Sequence, residues 1–202
     1  MIEQMFEQGH PSPPDPPRSS RGLMVPVNSV THPGVMAVVD ILRSTGMSGC
    51  ADGLRFLDSD VRTAAQAAAQ VGVEVGAIAN SLVFDADGAP LLVMTSGAHR
   101  ADVATLAGLV GATRVGRATP DFVRRHTGQA IGGVAPVGHP TRVATLVDTS
   151  LRRHPVVWAA AGHPRSLFPI TVDQLVAVTG GREVSVTRAS AAPTPEQEDA
   201  PR

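Results

Sequence analysis

Three features of the sequence predict the fold class. Between residues 33 and 187, apolar runs of strand length alternate with amphipathic runs of helix length. Asp87-Gly88 separates two apolar runs, 75–84 and 90–95, and Asp-Gly in that setting signals a hairpin. Other strand-like runs lead into helix starts, as in crossover units. Hairpins beside crossovers predict an α/β (α+β) fold, with a mixed sheet flanked by helices, in preference to a purely parallel, doubly wound sheet.

The elements follow in order. Residues 1–33 contain the stretch Pro11-Ser-Pro-Pro-Asp-Pro-Pro17, which cannot pack, and read as a disordered tail. Residues 33–47 predict a helix with Val35, Val38, Val39 and Leu42 on one side, and 53–57 a short strand. Ser59 is the expected cap of an alanine-rich helix running to Gln70, which Gly72 ends. The hairpin 75–95 comes next, then a helix over 101–110 and a strand over 114–117. Thr119-Pro120 opens another helix, with Thr as cap and Pro at the first position, and Gly128 closes it. Residues 129–140 form a Gly/Pro loop; 143–147 and 156–160 read as strands. Thr171-Val-Asp-Gln174 is a capping box before an apolar run, and 183–187 is a last strand. The foldable unit is therefore one domain over 34–187, with 188–202 as a second tail.

Composition narrows the function classes. A chain of 202 residues suits one domain with a real core, and with no Tyr and one Trp that core is built from Val, Leu, Ile and Ala. The net charge of −1 gives no general field for nucleic acid, so a duplex-DNA binder is disfavoured while a small site reading an RNA end is not. The single cysteine, Cys50, makes no internal disulfide, which fits a reducing, cytoplasmic compartment. No run is long and apolar enough to span a membrane. All 17 Lys/Arg positions are arginine.

Three segments carry candidate chemistry. The loop Gly128-Gln-Ala-Ile-Gly-Gly-Val-Ala-Pro-Val-Gly-His-Pro140 either aims backbone amides at an oxyanion or carbonyl or is simply a tight turn. Thr95-Ser-Gly-Ala-His99 stands at a strand end, where α/β ligand sites lie; Ser96 is a candidate binder or a mere cap, and His99 a candidate or a surface residue. Ala161-Gly162-His163-Pro164 follows another strand, with His163 either a base or a structural residue. The histidines lack metal-ligand spacing, and there is no phosphate loop or serine-hydrolase elbow, so neither a metal nor a cofactor is expected.

The order Ile78-Ala-Asn-Ser-Leu-Val-Phe84, Leu91-Leu-Val-Met-Thr-Ser-Gly97, Arg117-Ala-Thr-Pro120, then Thr127-Gly128 and Gly132-Gly-Val-Ala-Pro-Val-Gly138 resembles the YbaK/prolyl-tRNA-synthetase-associated domain. The likeness spans about residues 34–187. It implies a barrel-like mixed sheet and hydrolysis of the aminoacyl ester of mischarged tRNA. The implied partners are the 3′ aminoacyl end of that tRNA and an aminoacyl-tRNA synthetase, with no membrane and no DNA. By resemblance, Gly132, Gly133 and His163 fall on catalytic positions and Val134 on a substrate-binding one; from their places in the Gly/Pro loop and at strand ends, Ser96, Gly97, Pro136 and Gly162 are further substrate-binding candidates. The family's usual lysine position, also catalytic, is Asn80 here. Asn offers hydrogen bonds without charge, so the alternative is a non-catalytic aminoacyl-tRNA-binding or regulatory homologue. Ile78, Asn80 and Leu82 are expected on one buried face of their strand.

Overall fold

The computed structural model describes residues 32–59, 61 and 63–188; the remainder of the two expected tails lies outside the described residues. Helices α1 (Pro33–Ser44) and α2 (Ser48–Asp52) lead to strand β1 (Arg55–Phe56) and helix α3 (Ala64–Val71). The hairpin of β2 (Ile78–Ala86) and β3 (Ala89–Ser96) is followed by α4 (Val103–Val110), β4 (Val115–Arg117) and α5 (Pro120–Thr127). After the Gly/Pro loop come β5 (Ala144–Asp148), β6 (Val157–Ala160), β7 (Ser166–Ile170), α6 (Val172–Thr179) and β8 (Arg182–Val184).

Local chemistry explains most boundaries. Asp87 and Gly88 have φ of 50° and 88°, the paired positive values of a type I′ turn, so the hairpin twists with its strands. Thr119 accepts a hydrogen bond from the Phe122 amide, Pro120 stands in the first turn, and Gly128 ends α5 in the left-handed region. Thr171 and Gln174 form the reciprocal capping box of α6. The alanine helix starts later than expected: Thr63 is its cap, while the Ser59 hydroxyl accepts from Gln70 Nε2 at the other end. Strand β7 carries no sequence signal because Pro169 interrupts it, yet it pairs with β6 on one side and β1 on the other.

The eight strands form one mixed sheet in the order β1-β7-β6-β2-β3-β5-β8, with β4 paired to β2 off this path. The sheet stays open, which corrects the expected barrel-like closure: β1 and β8 are short end strands with no pairing to each other. One face packs on α1, α2, α5 and α6 through a cluster that includes Val38, Leu42, Ala79, Leu92, Met94, Val123 and Phe168. The other face carries two smaller clusters. One joins α3 to Ile78 and Trp158, and the other joins α4 to Leu91 and Val93. Helices thus cover both faces, and the second face is left uncovered between its two clusters, at Asn80 and Leu82.

Candidate active site

Register creates the opening. On the edge of β2 away from β3, β6 pairs only with Ile78 and Ala79, and β4 only with Phe84 to Ala86. Asn80 to Val83 have no strand partner there among the described residues. This notch is fronted by the Gly/Pro loop. It opens into two adjoining lobes of about 330 and 480 Å³, both lined by Asn80, Leu82, Arg117, Ile131, Gly132 and Val134. Asn80 is exposed, not buried as its strand alternation suggests, and no protein group among the described residues hydrogen-bonds its side chain.

The loop is held from behind by Gln129, which is 5% exposed. Its Oε1 accepts from the Ala135 amide at 2.6 Å, and its Nε2 donates to the carbonyls of Val137 and Gly138 at 3.2 and 3.4 Å. The Gly133 amide donates to the Ala130 carbonyl at 3.0 Å, so it is not a free donor. The amides of Gly132 and Val134 donate to no protein group among the described residues. Gly132 has φ +88° and open space where a Cβ would stand. Gly133 has the opposite constraint: a Cβ there would lie 2.6 Å from the backbone of His163.

The remaining candidates distribute around this centre. His163 meets the loop through its backbone; its Nδ1 accepts from the Arg165 amide, and its ring packs at 4.8 Å from His32. It lines neither lobe. Gly162 has φ +86° and lies against the backbone of Gly34, where a Cβ would stand 2.6 Å from the Gly34 carbonyl oxygen. Ser96 is buried, donates to the Gly76 carbonyl and caps the turn by accepting from Ala98. Gly97 permits the close approach of Val75, whose carbonyl a Cβ would meet at 2.5 Å. Pro136 lines a separate hollow of about 390 Å³ beside His139 and Arg142. Burial pushes the His139 imidazole below its ordinary pKa, against the opposing pull of the Ala135 carbonyl it bonds. Among the described residues no three His, Cys, Asp or Glu side chains form a metal-binding group.

A second polar centre borders the larger lobe. Asp148, at the end of β5 and 2% exposed, pairs with His99 Nε2. Its carboxylate also accepts from the Ser150 hydroxyl at 2.7 Å, the Ser150 amide at 3.2 Å, and the Thr95 hydroxyl and Ser96 amide at 3.3 Å each. Burial pushes this carboxyl up, but the donors led by Ser150 and joined by His99 outweigh it and hold its pKa below the ordinary value. The sequence marked His99 only as a strand-end residue and gave Asp148 no mark, because parallel pairing of β3 with β5 is what brings them together.

Residues 58–178, more than half of the chain, match the family described as the aminoacyl-tRNA editing domain. The chain belongs to that editing-domain family. Its relatives include the uncharacterized protein YwhH of Bacillus subtilis (strain 168), 32% identical over 56% of this chain and 72% of that protein. Another is the proline–tRNA ligase of Nitratidesulfovibrio vulgaris, 31% identical over 45% of this chain and only 16% of the ligase. A crystal structure described as "a putative trans-editing enzyme for prolyl tRNA synthetase" superposes with a TM-score of 0.73 at 39% identity, covering 79% of this chain and 99% of that one. The editing domain's match includes the notch, the Gly/Pro loop and the Asp148 centre. No helix among the described residues is long and apolar enough to cross a membrane.

Proposed function

We propose that this editing domain hydrolyses the ester joining a wrong amino acid to the 3′ end of tRNA, acting in the cytoplasm as a trans-editing deacylase that protects translation fidelity. The observation that carries the reading is the notch in β2. Asn80 and the amides of Gly132 and Val134, all without a hydrogen-bond partner among the described residues, belong to one cavity. A tetrahedral intermediate of ester hydrolysis carries an oxyanion, and fixed amide donors lower its energy without reorganisation. Asn80 offers a donor and an acceptor to the substrate's amine, carbonyl or terminal ribose. The similarity to a proline–tRNA ligase segment and to the trans-editing structure supports tRNA as the substrate and a synthetase as a partner.

A second reading, a homologue that binds aminoacyl-tRNA without hydrolysing it, is favoured by the uncharged Asn80. One experiment separates the two. The purified chain is incubated with a panel of mischarged tRNAs, and ester loss and binding are followed together. Hydrolysis of at least one mischarged tRNA above the spontaneous rate is the expected result. Binding without hydrolysis across the panel establishes the second reading.

A further inference from the structure

We propose that His99 is the general base of this site and that Asp148 is its positioning residue; the inference rests on the deacylase reading. Asp148 does not need His99 for its own satisfaction. Four donors, from Ser150 (two), Thr95 and Ser96, already bind its carboxylate in a buried site, three at Oδ2 and one at Oδ1. The imidazole is therefore an added partner, held by a carboxylate that is itself fixed by hydroxyl and amide donors. An anionic carboxylate at Nε2 selects the tautomer protonated there and leaves the lone pair on Nδ1. Nδ1 has no partner among the described residues. The His99 side chain is 28% exposed and borders the same 480 Å³ lobe as Asn80 and Gly132. A base oriented by a third group and open on its other side is the arrangement that activates water or a hydroxyl.

The sheet explains the juxtaposition with Asn80. Asn80 and Thr95 are directly opposed across β2 and β3, so their side chains share a face. The Thr95 hydroxyl reaches Asp148, which holds His99. Among the described residues, Arg100 and Arg117 are the other charged residues bordering the lobe, and no carboxylate residue lines it. The Glu74–His154 pair, at 3.9 Å, is the next titratable pair, with His154 against Gly76 behind Ser96.

In the proposed step, Nδ1 takes a proton from water as the water oxygen bonds to the ester carbonyl carbon. The bond from that carbon to the ribose oxygen then breaks, and the imidazolium returns the proton to the leaving ribose oxygen. The products are free amino acid and uncharged tRNA. Asp148 stays ionised throughout and steadies the imidazolium.

The test uses the full chain with His99→Gln and His99→Ala, with thermal melts as the control for folding. The substrates are the mischarged tRNAs and, separately, a p-nitrophenyl ester of an amino acid. His99→Gln is expected to lower kcat by roughly 10²- to 10⁴-fold at little changed KM, the range for losing general-base catalysis. Added imidazole is expected to restore part of the rate of His99→Ala and none to Asn80→Ala. In the unmutated protein kcat/KM is expected to rise with pH, as for a general base, and this dependence should vanish in His99→Gln. A folded His99→Gln with kcat within about threefold of the unmutated rate, far short of the loss expected for a general base, overturns the proposal. Failure of imidazole to rescue overturns it as well. If His99→Gln does not fold, a flat pH profile of the unmutated protein overturns it. If no charged tRNA is hydrolysed, the deacylase reading falls, and the p-nitrophenyl ester alone decides His99: a slower rate in the variant upholds the base, while equal or absent hydrolysis overturns it.

Discussion

Asn80 is the residue on which the proposed chemistry turns. It is exposed and unpartnered among the described residues, so removing its amide strands no buried group. Asn80→Ala is expected to change folding stability by less than about 0.5 kcal/mol, the usual limit for such positions. Hydrolysis should fall roughly ten- to a hundredfold, corresponding to about 1.4–2.8 kcal/mol of transition-state stabilisation. Melting curves and deacylation rates measured together check this; a destabilised protein with an unaltered rate per folded molecule contradicts it. The two loop glycines should separate in the opposite sense. Gly133→Ala forces a Cβ to within 2.6 Å of backbone that no rotamer can move, and an unfolding free energy lowered by several kcal/mol is expected. Gly132→Ala meets no atom within 4 Å and carries only the cost of φ +88°, about 1–2 kcal/mol. Equal destabilisation in denaturant titrations would refute this distinction.

At the scale of elements, the Gly/Pro loop is shaped by one buried side chain. Gln129 does for the loop what strand pairing does elsewhere: it satisfies one amide and two carbonyls that would otherwise be buried and unpaired. Gln129→Ala should cost about 1–3 kcal/mol for each group left buried without a partner. It should also lower kcat, because Gly132 and Val134 would lose their fixed geometry. Gln129→Glu keeps the acceptor for Ala135 but sets a buried carboxylate oxygen against the Val137 and Gly138 carbonyls, and should destabilise at least as much as Gln129→Ala. Urea unfolding and tRNA deacylation on the three proteins are the measurements. A Gln129→Ala protein of native stability and rate would show that the loop holds its shape by backbone alone.

The whole molecule responds to acid and to salt. The Asp148 pKa is lowered in the fold from an ordinary value of 3.8. A depressed carboxyl contributes stability above its unfolded pKa and loses it as pH falls through the folded one. Unfolding free energy should therefore drop below about pH 4, and Ser150→Ala, which removes the hydroxyl donor to Asp148, should make that acid limb shallower. Urea titrations between neutral and acid pH test it; an unchanged limb in Ser150→Ala contradicts the assignment. Arg114, Arg117, Arg124 and Arg125 are exposed, and none makes a salt bridge among the described residues. Of these, Arg117 lines both lobes, and Arg124 and Arg125 follow Val123 of α5, which lines the larger lobe. Converting Arg117 and Arg124 to Ala should weaken tRNA binding and reduce the slope of log affinity against log salt by about 0.7–0.9 for each phosphate no longer neutralised. An unchanged slope would mean that these arginines are only a solvated face.

The sequence by itself determined the local grammar of this protein. Thr119-Pro120, the Thr171–Gln174 box, Asp87-Gly88 and the terminal glycines of the helices act through neighbours one to four residues away, and the structure keeps all of them. Motif order likewise carried the family, because Ile78–Phe84 and Gly128–Gly138 stand in one register along the chain. What only the tertiary structure decided depends on which strands lie side by side. Strand β7 exists through pairing with β1 and β6 despite Pro169. Asn80 looks buried by alternation, yet it is exposed: pairing with β6 stops at Ala79 and pairing with β4 begins at Phe84, leaving the edge between them open. Asp148 and His99 are 49 residues apart and meet only through the parallel register of β3 and β5. Caps and turns are short-range hydrogen bonds that a few residues specify, whereas a cavity is space left between elements, and that space is set by the packing of the whole chain.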